Sequence, residues 1–124
     1  MNSVQLIGRL THDPEATRTS NGTAVTAFRL AVDRAGRKGA DFVTVKCWER
    51  LADVTAEHLA RGRRVAVQGR LAHEEWTASD GRRAERLTVV ADRVEFLDAL
   101  AAGKTPADIE GQARGVTAAA TTGR

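Results

Sequence analysis

The sequence predicts an all-β fold: a five-stranded antiparallel Greek-key barrel with one α-helix between its third and fourth strands. Three observations predict it. Apolar and polar residues alternate with a period of two through most of residues 4–98. Two pairs that favour tight turns, Asn21-Gly22 and Asp80-Gly81, interrupt that alternation. One central segment, "LADVTAEHLARG", switches to helical spacing.

In "VQLIGRL", residues 4–10, Val4, Leu6 and Leu10 alternate with Gln5 and Arg9, which makes a first strand. Asp13-Pro14 then opens a turn. "ATRTSNGTAVTAFRLAV" reads as a hairpin, because Asn21-Gly22 tolerates positive φ at both centres of a type I′ turn. Its returning strand puts Phe28, Leu30 and Val32 on one face and Arg29 on the other. "DRAGRKGAD" is a loop bearing Arg34, Arg37 and Lys38.

In "DFVTVKCWERL" the residues Phe42, Thr44, Lys46 and Trp48 share one face, and Val43, Val45 and Cys47 share the other. The helix follows, with Leu51, Val54, Thr55 and Leu59 on its apolar stripe, Arg61 in its last turn and Gly62 at C′. No N-cap residue marks its start. "RRVAVQGRL" turns Val65, Val67 and Leu71 inward and Arg64, Gln68 and Arg70 outward. Asp80-Gly81 is the next hairpin tip, with Trp76 on the ascending arm. "AERLTVVADRVEFL" closes the set, its phase broken around Ala91–Arg93 by a bulge. This order of strand, hairpin, strand, helix and hairpin is the layout of the OB-fold, with the helix plugging one end. Residues 1–98 form the folded domain, and 99–124, rich in Ala, Gly and Thr without any period, read as a disordered tail.

A chain of 124 residues suffices for one modest core. The net charge of +3 is mild, but only three of its nineteen cations are lysines, and arginine suits phosphate and aromatic faces. Cys47 is the only cysteine, which excludes an intrachain disulfide or a cysteine-based zinc site and fits a reducing cytoplasm. Its phase buries it as an inert thiol, and a cross-link between protomers would need a second Cys47 within reach. "MNSVQLIGRL" enters a strand at once, without the apolar stretch of a signal peptide, and no run is long enough to span a membrane.

Catalysis and metals find little support. His12, Asp13 and Glu15 cluster, as do His73, Glu74 and Glu75, yet neither group has a recurrent ligand spacing, so both read as solvated. Glycine-rich phosphate loops and nucleophile elbows are absent. The reading is therefore a protein that is not an enzyme and holds no cofactor.

The aromatic residues say more. Phe28 and Phe96 fit the core. Phe42 and Trp48 lie opposite the Val43, Val45 and Cys47 face, and Trp76 stands in the polar stretch "HEEWTASDG". Rings on a wet surface interleaved with cations suit unstacked nucleotides, because every base has a flat π-face. The plain alternative for Trp48 is packing against the start of the helix. The outward cations Arg29, Lys46, Arg64 and Arg70, with Arg34, Arg37, Lys38, Arg82, Arg83 and Arg86 in or beside two loops, are candidate phosphate contacts.

"VQLIGRLTHDPEATRTSNGTAVTAFRLAV", "FVTVKCWERLADVTAEHLARGRRVAVQGRL" and "EEWTASDGRRAERLTVVADRVEFL" together closely resemble the bacterial single-stranded DNA-binding proteins over residues 3–98. The resemblance implies an OB-fold that assembles as a homotetramer and wraps single-stranded DNA without sequence preference, in the cytoplasm at the nucleoid. It matches Phe42, Trp48 and Trp76 to stacking positions and places Arg29 and Thr44 facing DNA. Two departures stand out. The loop "DRAGRKGAD" lacks a tryptophan found in many members and carries Arg34, Arg37 and Lys38 instead. The last residues, "GQARGVTAAATTGR", show no acidic tip closed by Phe, which in the family docks replication and repair enzymes, so the chain reads as a specialised second copy without that docking. Two rivals stay open: an OB subunit that pairs with proteins, as primosome-type proteins do, and an RNA-binding OB domain.

Overall fold

The computed structural model describes residues 1–97. The elements run β1 (Val4–Leu10), β2 (Glu15–Arg18), β3 (Ala24–Asp33), β4 (Ala40–Trp48), α1 (Glu49–His58), β5 (Arg64–Thr77) and β6 (Arg83–Phe96). The disordered tail expected over residues 99–124, and the expected lack of an acidic tip there, lie outside the described residues.

The strands form one sheet in the order β1-β5-β6-β4-β3-β2, and β1 also pairs with β3, so the sheet closes on itself. That closure, with one helix between β4 and β5, is the OB-fold arrangement. The count of six strands rather than five arises because the turn at Thr11–Pro14 divides one bent strand into β1 and β2. The pairings are antiparallel except for a short parallel ladder, Val45 with Val89 and Lys46 with Val90, which joins β4 to β6.

Alternation along the strands places the core where expected. Phe28, Leu30, Val45, Cys47, Val65, Val67, Val89, Val94 and Phe96 are all buried. The helix covers one end of the barrel with Leu51, Ala52, Thr55 and Leu59. One hydroxyl secures it there: Thr26 Oγ1 of β3 donates to the Ala52 carbonyl at 2.6 Å, while Thr55 Oγ1 bonds within the helix to the Leu51 carbonyl at 2.9 Å. Cys47 is fully buried, and burial pushes its thiol up to about 12, far from the reactive thiolate range.

The structure corrects several local expectations. Asn21 has no positive φ; only Gly22 does. Thr19 N–H donates to the Thr23 carbonyl and Gly22 N–H to the Thr19 carbonyl, which makes a three-residue loop ending in a left-handed glycine. The tip at Ala78–Arg82 repeats this pattern, with Gly81 at φ 85°. Gly62 is not at C′, because the helix ends at His58 with Leu59 as its C-cap in extended conformation. Gly62 instead bonds the Leu10 carbonyl from the following turn. Asp13, expected only to initiate a turn, accepts from Arg61 N–H at 2.8 Å and ties that turn to the barrel.

The β5–β6 register skips one residue between the pairs Gln68–Arg93 and Gly69–Ala91, leaving Asp92 as the bulge. There a Cβ on Gly69 would lie 2.1 Å from the Val90 carbonyl oxygen, so the close approach requires glycine. Past the pair Leu71–Val89 the two strands pair only with each other and the hairpin projects from the barrel; Leu71, expected inward, is exposed at this edge although its partner Val89 is buried.

Candidate nucleic-acid interface

Cross-strand partners share a face, so the register shows which outward side chains become neighbours. Phe42 pairs with Ala31, and Ala31 pairs with Arg9, which in turn faces Arg64 on β5. Thr44 pairs with Arg29, and Lys46 pairs with Ala27. On the other side Lys46 adjoins Val90, whose partner is Arg70. Glu74 faces Arg86, and Trp76 faces Ala84. These rows lie on one continuous outer surface running from Phe42 across β4 and up the projecting β5–β6 hairpin to Trp76.

Two rings on this surface are open to solvent, Phe42 at 56 % exposure and Trp76 at 44 %. Each has a guanidinium over it. Arg29 lies 4.5 Å from the Phe42 centroid, and Arg86 lies 5.3 Å from that of Trp76. Arg29, Thr44 and Arg86 also line a single open concavity with His12, Asp13 and Glu15, so the surfaces around the two rings meet. Trp48 is only half-buried but occupies the N-cap position of α1 without a side-chain capping bond.

The cations are less free than their exposure suggests. Arg34 pairs with Asp41 at 2.9 Å and Arg82 with Asp80 at 2.9 Å. Exposed pairs of this kind are worth about 0–1 kcal/mol, so an arriving phosphate can displace them. Arg83 bonds Glu75, on the face of the hairpin that points away from Trp76. Arg83 nevertheless lines, with Glu75, Trp76, Thr77 and Gly81, a concavity at the end of the hairpin. Arg37 and Lys38 stand exposed in the β3–β4 loop.

Glu74 behaves differently from the other acids. Its carboxylate accepts from Lys46 Nζ, at 2.9 Å to Oε1 and 3.1 Å to Oε2, and Arg86 Nη2 lies 3.5 Å from Oε2. The Lys46 and Glu74 side chains are only about a quarter exposed, at 24 % and 26 %. Burial alone would raise the Glu74 carboxyl, but Lys46 above all, then the Thr88 hydroxyl and Arg86, outweigh it and hold it below its ordinary value.

Of the two clusters flagged in the sequence, His73, Glu74 and Glu75 divide between two faces, while His12, Asp13 and Glu15 stay together along one concavity. Glu74 joins the ring-bearing surface, while His73 and Glu75 sit on the opposite face of the hairpin, where Glu85 joins them with donor atoms within 4.8 Å of one another. In the other cluster, His12 Nδ1 is bound to the Thr11 hydroxyl at 2.8 Å, and Asp13 is committed to Arg61. Sequence reasoning missed Arg9 as a member of the surface. Its outward phase was legible, but its nearness to Phe42 depends on the β1–β3 closure.

The model of the Single-strand binding protein family matches residues 1–97. A single-stranded DNA-binding protein of Clostridium tetani is 46% identical over 103 residues, covering 79% of this chain and 71% of its own. "Single-stranded DNA-binding protein 3" of Clostridium acetobutylicum is 43% identical over the same share of this chain and 72% of its own. A Bacillus cereus single-stranded DNA-binding protein is 41% identical, with 61% of its length covered.

Proposed function

Because the chain belongs to the single-strand binding protein family, we propose that it binds single-stranded DNA without reading base sequence. The observation that supports this most directly is the pair of open rings, Phe42 and Trp76, each beside an arginine on one connected outer surface.

The mechanism has two parts. Phe42, Trp76 and the exposed part of Trp48 stack unpaired bases, at about 1–3 kcal/mol per base. Arg29, Arg34, Arg37, Lys38, Lys46, Arg64, Arg70, Arg82 and Arg86, with Arg9 added by the register, draw the phosphates, and Thr44 lies between as a hydrogen-bonding group. Each phosphate neutralised on a single strand adds about −0.7 to the log–log salt slope. Neither part reads base edges, which explains indifference to sequence. Duplex DNA keeps its π-faces inside the stack, which explains preference for single strands.

The activity is binding and protection in replication, recombination or repair, with no chemical step. Assembly as a homotetramer follows the family resemblance and is supported by Ile7, Leu71 and Leu87, large apolar side chains left exposed on the single chain. Residence in the cytoplasm at the nucleoid follows from the ligand. Among the described residues no helix is long and apolar enough to cross a membrane. Titrating tryptophan fluorescence with oligo-dT, with mass measured by light scattering, tests both parts: quenching and a fourfold mass are expected. Constant emission, or equal preference for duplex, would overturn the reading.

A further inference from the structure

A surface built to receive a polyanion should exclude carboxylates, yet Glu74 stands on it, among Lys46, Arg86 and Trp76. It is no loose surface acid. Both its oxygens are engaged by Lys46, and Arg86 approaches one of them from the facing strand. The same Arg86 lies over the Trp76 ring and lines the concavity that Arg29 and Thr44 share. An ion pair serving stability alone could sit anywhere on the barrel. This one occupies two cations of the ring-bearing surface and keeps a third group, the indole, partly covered.

We propose that Glu74 is an internal stand-in for phosphate, occupying Lys46 and Arg86 until a strand's own phosphate displaces it. The inference rests on the single-strand-binding reading and deepens it. Binding then exchanges one anion for another at this point, instead of adding a new ion pair. Affinity is held below what the cations alone would supply, and release of the strand is quickened because the carboxylate refills the site. Freed from Glu74, Arg86 can also move off the indole and expose its face to a base.

The test compares oligo-dT binding by the wild-type chain and Glu74→Gln, which keeps the shape and removes the charge, over a series of salt concentrations. Glu74→Gln should bind about threefold or more tightly, with a salt slope steeper by about 0.7, the one phosphate charge that the carboxylate no longer offsets. In a Lys46→Met background the gain from Glu74→Gln should shrink. Unchanged or weaker binding by a folded Glu74→Gln chain, at an unchanged slope, overturns the proposal. Glu74→Thr, a residue favoured in strands, provides a second variant should the amide disturb folding. If neither variant folds, Glu74 is a structural pin and the proposal falls. A wild-type chain that fails to bind oligo-dT in the same titration overturns the underlying reading as well, which separates the two failures.

Discussion

The Arg29 guanidinium sits 4.5 Å from the centroid of the Phe42 ring, reaching across from the neighbouring strand. An exposed cation–π contact is worth about 0.5–1 kcal/mol, less than the stacking of a base on the same ring. A nucleobase therefore wins the face, and the arginine it displaces stays close enough to meet the adjoining phosphate. Phe42→Ala should weaken oligo-dT binding by about 1–3 kcal/mol, or about 5- to 150-fold. The melting temperature should move little, because the ring is already half open to water.

Trp76 stands on the part of the hairpin that extends past the barrel, with no core beneath it. Trp76→Ala should lower affinity by a similar factor while circular dichroism melts stay close to wild type. Equal affinity at several salt concentrations would remove Trp76 from the interface.

Arg37 and Lys38 lie in the loop between β3 and β4, free of any core role. Replacing both with alanine should make the salt slope shallower by about 1.4, two contacts at about 0.7 each. An identical slope would show that the strand does not pass over that loop.

Gly69 sits where the bulge presses β5 against β6. A methyl group there would meet the Val90 carbonyl at 2.1 Å, so Gly69→Ala must shift backbone rather than a flexible side chain. Overpacking of this kind costs about 1–3 kcal/mol, measurable as a lower urea midpoint. A wild-type midpoint would mean that the bulge gives way easily.

Cys47 provides a pH-dependent prediction. Burial holds its thiol up to about 12 in the folded chain against an ordinary 9.0 when unfolded. The protonated thiol's contribution to stability is complete below pH 9, and it is lost as pH rises from there towards 12, because only the unfolded chain ionises in that window. Urea midpoints should fall between pH 8 and pH 10.5, and fall less in Cys47→Ala. Ellman's reagent at pH 8 should react only in denaturant.

Much of this architecture was legible in the sequence because alternation, turn glycines and one change of period are local signals. The bulge at Asp92 could be read the same way, as a break in phase. The turn at Asn21 could not, since Asn-Gly fits more than one hairpin loop and hydrogen bonding across Thr19 and Thr23 decides between them. The ring-bearing face of β4 followed from phase alone. The neighbours of that face did not: Arg9 arrives through barrel closure, and Glu74 through a parallel ladder between strands far apart in sequence. Pairing of cations with acids is likewise a property of the assembled surface.

Barrel closure also bears on the birth of the protein. β1 is synthesised well before β5, yet its longest ladder is with β5, from Val4–Gly69 to Arg9–Arg64. At about 5–20 residues per second, some 3–11 seconds of synthesis separate Leu10 from Arg64. During that interval β1 has only its short ladder with β3 to hold it. Translation speed between β1 and β5 thus sets how long an unpaired strand is offered to chaperones and to neighbouring nascent chains.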